Sequence, residues 1–155
     1  MGQATDGVIA LLSIHPLYVQ AILSGAKLVE FRRRPFARPL SHVIIYATTP
    51  VKRVVAICTV RRVTYDSPTR LWARYRSVAG IDENAFFRYM GDRDSGVGIE
   101  FDRVEKLAAP VRLASLSRGM RPPQSFVYLS DTEFDRIQAV GVGSRGAGVP
   151  RPGNG

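Results

Sequence analysis

The chain has a single cysteine, Cys58, and only two histidines among its 155 residues. One thiol can form neither an internal disulfide nor a cysteine-built zinc site, and its neighbours Ile57 and Val60 mark it as a buried thiol of a reducing compartment. The spacing of His15 and His42 recommends no metal site, so no metal is expected. Phosphate-cradling glycine patterns are missing too: the G-V-G at Gly96 to Gly98 and the glycines of the tail lack the strand-to-helix context of a Walker or dinucleotide loop. No bound cofactor is therefore expected. No apolar run approaches a membrane span, and Met1 to Gly7 lacks the basic and apolar segments of a signal peptide. These absences predict a soluble, cytoplasmic protein without a membrane partner. Lysine occurs only at Lys27, Lys52 and Lys106.

What is abundant is arginine. Lysine and arginine together number 22 against 13 acidic residues, giving a formal charge of +9 and a pI near 10.4. Such an excess points to a polyanionic partner, RNA or DNA, and arginine is the residue suited to forked phosphate contacts and stacking. A hydrophobic content of 45% over this length supplies one substantial core and is too little chain for two ordinary domains.

The densest charge lies in Gly25 to Arg34, G-A-K-L-V-E-F-R-R-R. Pro16 to Ser24 reads as a helix entered through proline, and Gly25 as its left-handed stop. Lys27 then stands at the mouth of a strand in which Leu28, Glu30 and Arg32 share one face, so that Glu30 and Arg32 can pair. Arg33 and Arg34 extend the basic rim, and Pro35 and Pro39 end the ladder.

Val8 to Ile14, His42 to Thr48, Lys52 to Tyr65, Val97 to Val104 and Gln124 to Leu129 read as further strands. Ser67-Pro68 and Asp82 open two helices, the first with an apolar stripe of Leu71, Trp72, Tyr75 and Val78. Pro110 to Leu113 adds a short extended piece, Arg118 to Pro123 a loop, and Asp131 caps a closing helix. Arg93 between Asp92 and Asp94 suggests a turn ion pair. The expected organisation is a disordered N-terminus over 1–7, one domain over 8–140 and a disordered glycine- and proline-rich tail over 141–155. The expected fold class is α+β, a small β-barrel of mostly antiparallel strands with flanking and inserted helices.

The strings L-L-S-I-H-P at Leu11 to Pro16, I-L-S-G-A-K-L-V-E-F-R-R-R at Ile22 to Arg34, I-I-Y-A-T-T-P-V at Ile44 to Val51 and P-P-Q-S-F-V-Y-L at Pro122 to Leu129 resemble the ASCH domain, a branch of the PUA-like superfamily. The resemblance implies a barrel beside whose mouth a cleft binds RNA or a nucleoside. Ser13, Lys27, Glu30, Arg32, Arg33, Arg34, Tyr46, Thr48, Gln124, Ser125 and Phe126 are the candidate ligand-binding residues. In that cleft Tyr46 or Phe126 would stack a base, Gln124 and Ser125 would read its edge, and the arginines would hold phosphate.

Three functions follow as expectations. The first is an RNA or modified-nucleoside binding module. The second is a hydrolase on the same cleft, with Lys27 and Glu30 as its catalytic pair: a metal-independent ribonuclease, or an amidohydrolase of N4-acetylcytidine type. Amidohydrolases similar to this domain use the lysine to activate a threonine three positions later; here Glu30 stands at that position, so that nucleophile is missing. The third is a transcription-related regulator binding DNA or protein.

Overall fold

The computed structural model describes residues 7–143. Six strands form one mixed sheet in the order β2-β5-β4-β3-β1-β6, built from β1 (Val8–Ile14), β2 (Val29–Arg32), β3 (Leu40–Ala47), β4 (Arg53–Asp66), β5 (Gly96–Val111) and β6 (Phe126–Leu129). All neighbours are antiparallel except β1 and β3, which α1 (Pro16–Ser24) and β2 separate in the chain. The fold is α+β, but the expected barrel is not closed. β2 and β6 are the two edges and do not pair with each other.

Across the gap between the edges runs the Arg32 side chain. The Arg32 guanidinium on β2 donates to the Ser13 carbonyl of β1 at 2.9 Å and to the Ser125 carbonyl just before β6 at 3.3 Å. Register shifts at three places along the β4–β5 ladder accompany strands of 14 and 16 residues. Bulges of this kind bend and twist a sheet, which is how two edges at opposite ends of the strand order come within an arginine's reach.

Three apolar clusters fill the molecule. One is enclosed by the sheet and α1 and contains Leu12, Ile22, Val43, Ile45, Cys58 and Ile99. On the other face, Leu11, Ile44 and Tyr46 pack with α4 (Leu113–Leu116) and α5 (Asp131–Gln138). The third joins Val29 and Phe31 of β2 to the helices inserted between β4 and β5, namely α2 (Pro68–Tyr75), a 3-10 turn over Arg76–Val78 and α3 (Glu83–Met90). Phe86 is its fully buried centre, 4.7 Å from the Phe31 ring and 5.2 Å from Trp72 between centroids. Burial of such a side chain contributes about 1.5–3 kcal/mol.

Local chemistry sets the ends of the elements. Gly25 closes α1 with φ 86°, the left-handed region that glycine enters without strain. The Ser67 and Asp82 side chains accept from the backbone N–H groups of Arg70 and Ala85 at the starts of α2 and α3. At α5 the cap is Ser130 rather than Asp131, in a capping box with Glu133. β5 runs on through Pro110, absorbing the piece expected as separate, and α4 has no counterpart in the sequence reading. Arg93 makes no ion pair among the described residues. After α5 the chain returns to β5, where Val142 bridges Leu107. Of the termini expected to be disordered, 1–7 and 141–155, residues 141–143 instead lie along β5, and 1–6 and 144–155 fall outside the described residues.

Candidate functional site

Where the two sheet edges approach, a cavity of about 690 Å³ opens. Its lining comes from the end of β1 (Ser13, Ile14), the start of α1 (His15, Tyr18), β2 and its continuation (Lys27, Glu30, Phe31, Arg32, Arg33, Arg34), the insertion (Ile81, Tyr89) and the segment entering β6 (Gln124, Ser125, Phe126). Short segments distant in sequence converge there.

On its floor lies a chain of buried charges. Lys27 is 2% exposed, Glu30 8% and Arg32 7%. Glu30 stands between the two cations, with one carboxylate oxygen 3.6 Å from the Lys27 ammonium and the other 3.0 Å from the Arg32 guanidinium. The face-sharing of Glu30 and Arg32 read from the sequence is thus realised, and Lys27 joins them because the turn after Gly25 folds it back beside the strand. The Lys27 ammonium also donates to the Ala79 carbonyl at 2.6 Å and lies 5.4 Å and 5.2 Å from the ring centroids of Tyr18 and Phe31. Burial pushes its pKa below the ordinary lysine range; Glu30 opposes that shift and Arg32 adds to it.

The three arginines divide by role. Arg32 spends its terminal nitrogens on Glu30, Ser13 and Ser125, and so braces the cavity. Arg33 and Arg34 are exposed on the rim, and the Arg33 guanidinium stacks 5.1 Å from the Tyr89 ring centroid. Burial raises the pKa of the Tyr89 phenol. Ser13 Oγ donates to the Pro123 carbonyl at 2.7 Å, and the Ser13 N–H to the Ser125 carbonyl at 3.2 Å, which fixes the segment before β6 against β1. His15 Nδ1 accepts the Leu17 N–H at 3.1 Å and caps α1 from the cavity edge.

Nine of the residues singled out from the sequence line this cavity: Ser13, Lys27, Glu30, Arg32, Arg33, Arg34, Gln124, Ser125 and Phe126. Tyr46 and Thr48 do not. Tyr46 is 4% exposed and packs in the cluster on the α4–α5 face of the sheet, where an alternating strand must send every second side chain. Thr48 lies just past β3, its N–H bonded to the Ile14 carbonyl at 3.0 Å. Tyr18, Ile81 and Tyr89 were missed. Tyr18 could have been found from the helical spacing that puts it beside the lysine turn, whereas Ile81 and Tyr89 carry no local signal. Among the described residues, no group of three or more His, Cys, Asp or Glu is arranged to hold a metal ion, and no helix is long and apolar enough to cross a membrane.

A curled α+β sheet, open at one seam and hollowed there over an ion-paired lysine, defines a PUA-like domain. The ASCH domain family model matches residues 12–108, and the chain belongs to that family. A protein of Zymomonas mobilis described as an ASCH domain-containing ribonuclease is 30% identical over 135 residues, covering 84% of this chain and 90% of that protein. The crystal structure of ASCH from Zymomonas mobilis superposes with a TM-score of 0.78 at 29% identity, covering 84% of this chain and 94% of that one. The N-terminal domain of Staphylothermus marinus McrB, with a TM-score of 0.56 at 11% identity over 90% of this chain and 98% of that one, shares the fold alone.

Proposed function

We propose that this ASCH protein binds single-stranded RNA in the cavity between its sheet edges and cleaves it there. The observation carrying this reading is the convergence in one hollow of aromatic rings, a buried ammonium and exposed arginines. Each answers one part of a nucleotide: Tyr18, Tyr89 and Phe126 offer faces for a base, Gln124 and Ser125 offer groups for its edge, and Arg33 and Arg34 offer charge for the flanking phosphates. A hollow of about 690 Å³ suits unstacked nucleotides and excludes a duplex. The similar protein described as a ribonuclease supports the same substrate class.

Cleavage can proceed within the RNA itself. The 2′-hydroxyl attacks the adjacent phosphorus, its proton passes to solvent water, the bond to the 5′-oxygen breaks, and that oxygen takes up a proton. A 2′,3′-cyclic phosphate and a 5′-hydroxyl result. Lys27 is the group suited to the charged intermediate and to the leaving oxygen. An ammonium has three donors, and Ala79 occupies one of them. Its lowered pKa makes it a better acid than an exposed lysine. Glu30, held between two cations, fixes where that ammonium sits. Deacylation of a modified base is disfavoured, because the position three residues after Lys27 offers this ion-paired carboxylate and no hydroxyl nucleophile.

End-labelled single-stranded RNA tests the reading. The protein should release products ending in cyclic phosphate, and should bind DNA of the same sequence without cutting it, since DNA lacks the attacking hydroxyl. Replacing both Arg33 and Arg34 by alanine should weaken binding and reduce the slope of log affinity against log salt by about 1.4, roughly 0.7 for each phosphate no longer neutralised. Both side chains are exposed, so Tm should stay unchanged. Salt-independent affinity with intact RNA after prolonged incubation would overturn the proposal.

A further inference from the structure

The insertion between β4 and β5 touches Lys27 and its neighbour at three consecutive residues, the end of its 3-10 turn and the link that follows. The Val78 carbonyl accepts the Leu28 N–H at 2.9 Å, and the Ala79 carbonyl accepts the Lys27 ammonium at 2.6 Å. Gly80, with φ 62°, lies against the lysine stem so closely that a Cβ there would fall 2.4 Å from Lys27 Cβ and 2.7 Å from its Cγ. Real Cβ atoms do not approach so near. We infer that Ala79 and Gly80 form a positioning device for Lys27, a carbonyl that holds its ammonium and a missing side chain that makes room for its stem, and that the insertion thereby sets the reactivity of the cavity floor.

The geometry favours this over simple packing. Packing alone would ask only for apolar contact between β2 and the insertion, which Phe31 and Phe86 already make. A main-chain carbonyl aimed at a buried ammonium does something else. It fixes one of three donor directions and so turns the other two towards Glu30 and the hollow. It also compensates part of the cost of burying the charge, keeping the protonated form available on a floor that otherwise disfavours it. Gly80 serves twice, since its left-handed φ is strained for most residues and its lack of a side chain admits the stem.

This inference rests on the proposed role of Lys27 in cleavage, and its test keeps the two apart. Gly80→Asn is the informative variant, because asparagine tolerates the left-handed backbone while its Cβ still collides with Lys27. Titration of the Lys27 ammonium by heteronuclear NMR should show its pKa moving further down in the variant, because the carbonyl that favours the protonated form is displaced while the burial remains. With RNA, kcat should fall by roughly tenfold to a hundredfold while KM holds. Ser130→Ala is the control: it removes the cap of α5 on the far face of the sheet, away from Lys27, and should leave both readouts in place. An unmoved lysine titration in Gly80→Asn, or an equal kcat loss in Ser130→Ala, would overturn the inference. Should Gly80→Asn not fold, the wild-type chain decides the matter by scalar coupling across the bond from the Lys27 ammonium to the Ala79 carbonyl: its presence supports the device and its absence refutes it. Absence of RNA cleavage by wild type would remove the proposed function and leave the lysine titration and the coupling to be judged alone.

Discussion

Lys27 holds its charge where solvent cannot help it, and two tests follow from that. Replacing a buried ion by an apolar chain of similar length is often neutral or stabilising, and Glu30 keeps Arg32 as a partner when the ammonium is gone. Lys27→Met should therefore leave Tm unchanged or raise it by a few degrees while cleavage drops by about 10²–10⁴; a parallel collapse of Tm and activity would make the lysine structural. The pH dependence has a fixed sign. Between the lowered native pKa and the ordinary value in the unfolded chain, the unfolded state holds the extra proton, so this group adds stability as pH rises through that window. Activity should fall over the same rise as Lys27 loses its proton, and Lys27→Arg should move that alkaline loss to higher pH. Stability and activity measured across the alkaline range should diverge.

At this scale the sequence was legible where neighbours along the chain are neighbours in space. A strand of period two places Glu30 and Arg32 together, and no tertiary information is needed for that, whereas Lys27 joins them through the fold of the turn and the insertion. Tyr46 and Thr48 were misjudged as members of the hollow because strand register decides which face a residue takes, and one step reverses it. Tyr89 and Ile81 were illegible for another reason: an inserted helix reaches the hollow only through tertiary packing.

The elements separate into those that build the hollow and those that do not. α5 belongs to the opposite face, so Ser130→Ala should cost about 1 kcal/mol in urea unfolding through loss of its capping box, with no change in RNA cleavage. Phe86→Ala acts on the insertion. Emptying the centre of its aromatic cluster should cost about 3–5 kcal/mol, and because the same insertion carries Ala79, activity should fall as well. A cleavage rate untouched by Phe86→Ala would detach the insertion from the site. Caps and stops were the most readable features of these elements, as Gly25, Ser67 and Asp82 show, because their chemistry is local. The full length of β5 was not, since Pro110 is an ordinary strand breaker that is tolerated close to the strand's end.

Across the whole molecule, side chains, Arg32 among them, bridge what backbone pairing leaves open. Composition and pattern foretold mostly antiparallel strands with helices around them, but not that β2 and β6 would stay unpaired and meet through Arg32. Closure depends on sheet curvature, which bulges set and residue propensity does not encode. The net charge of +9 was plain from the start, yet its meaning depends on where a few cations stand. Titrating labelled protein with a short single-stranded oligoribonucleotide and following its NMR spectrum locates the ligand directly. Entry into the hollow requires shifts at Tyr18, Tyr89, Ser125 and Phe126, with Leu113, Leu116 and Ile137 on the far face unmoved. Shifts confined to that far face, or spread evenly over exposed arginines with the hollow silent, would contradict it.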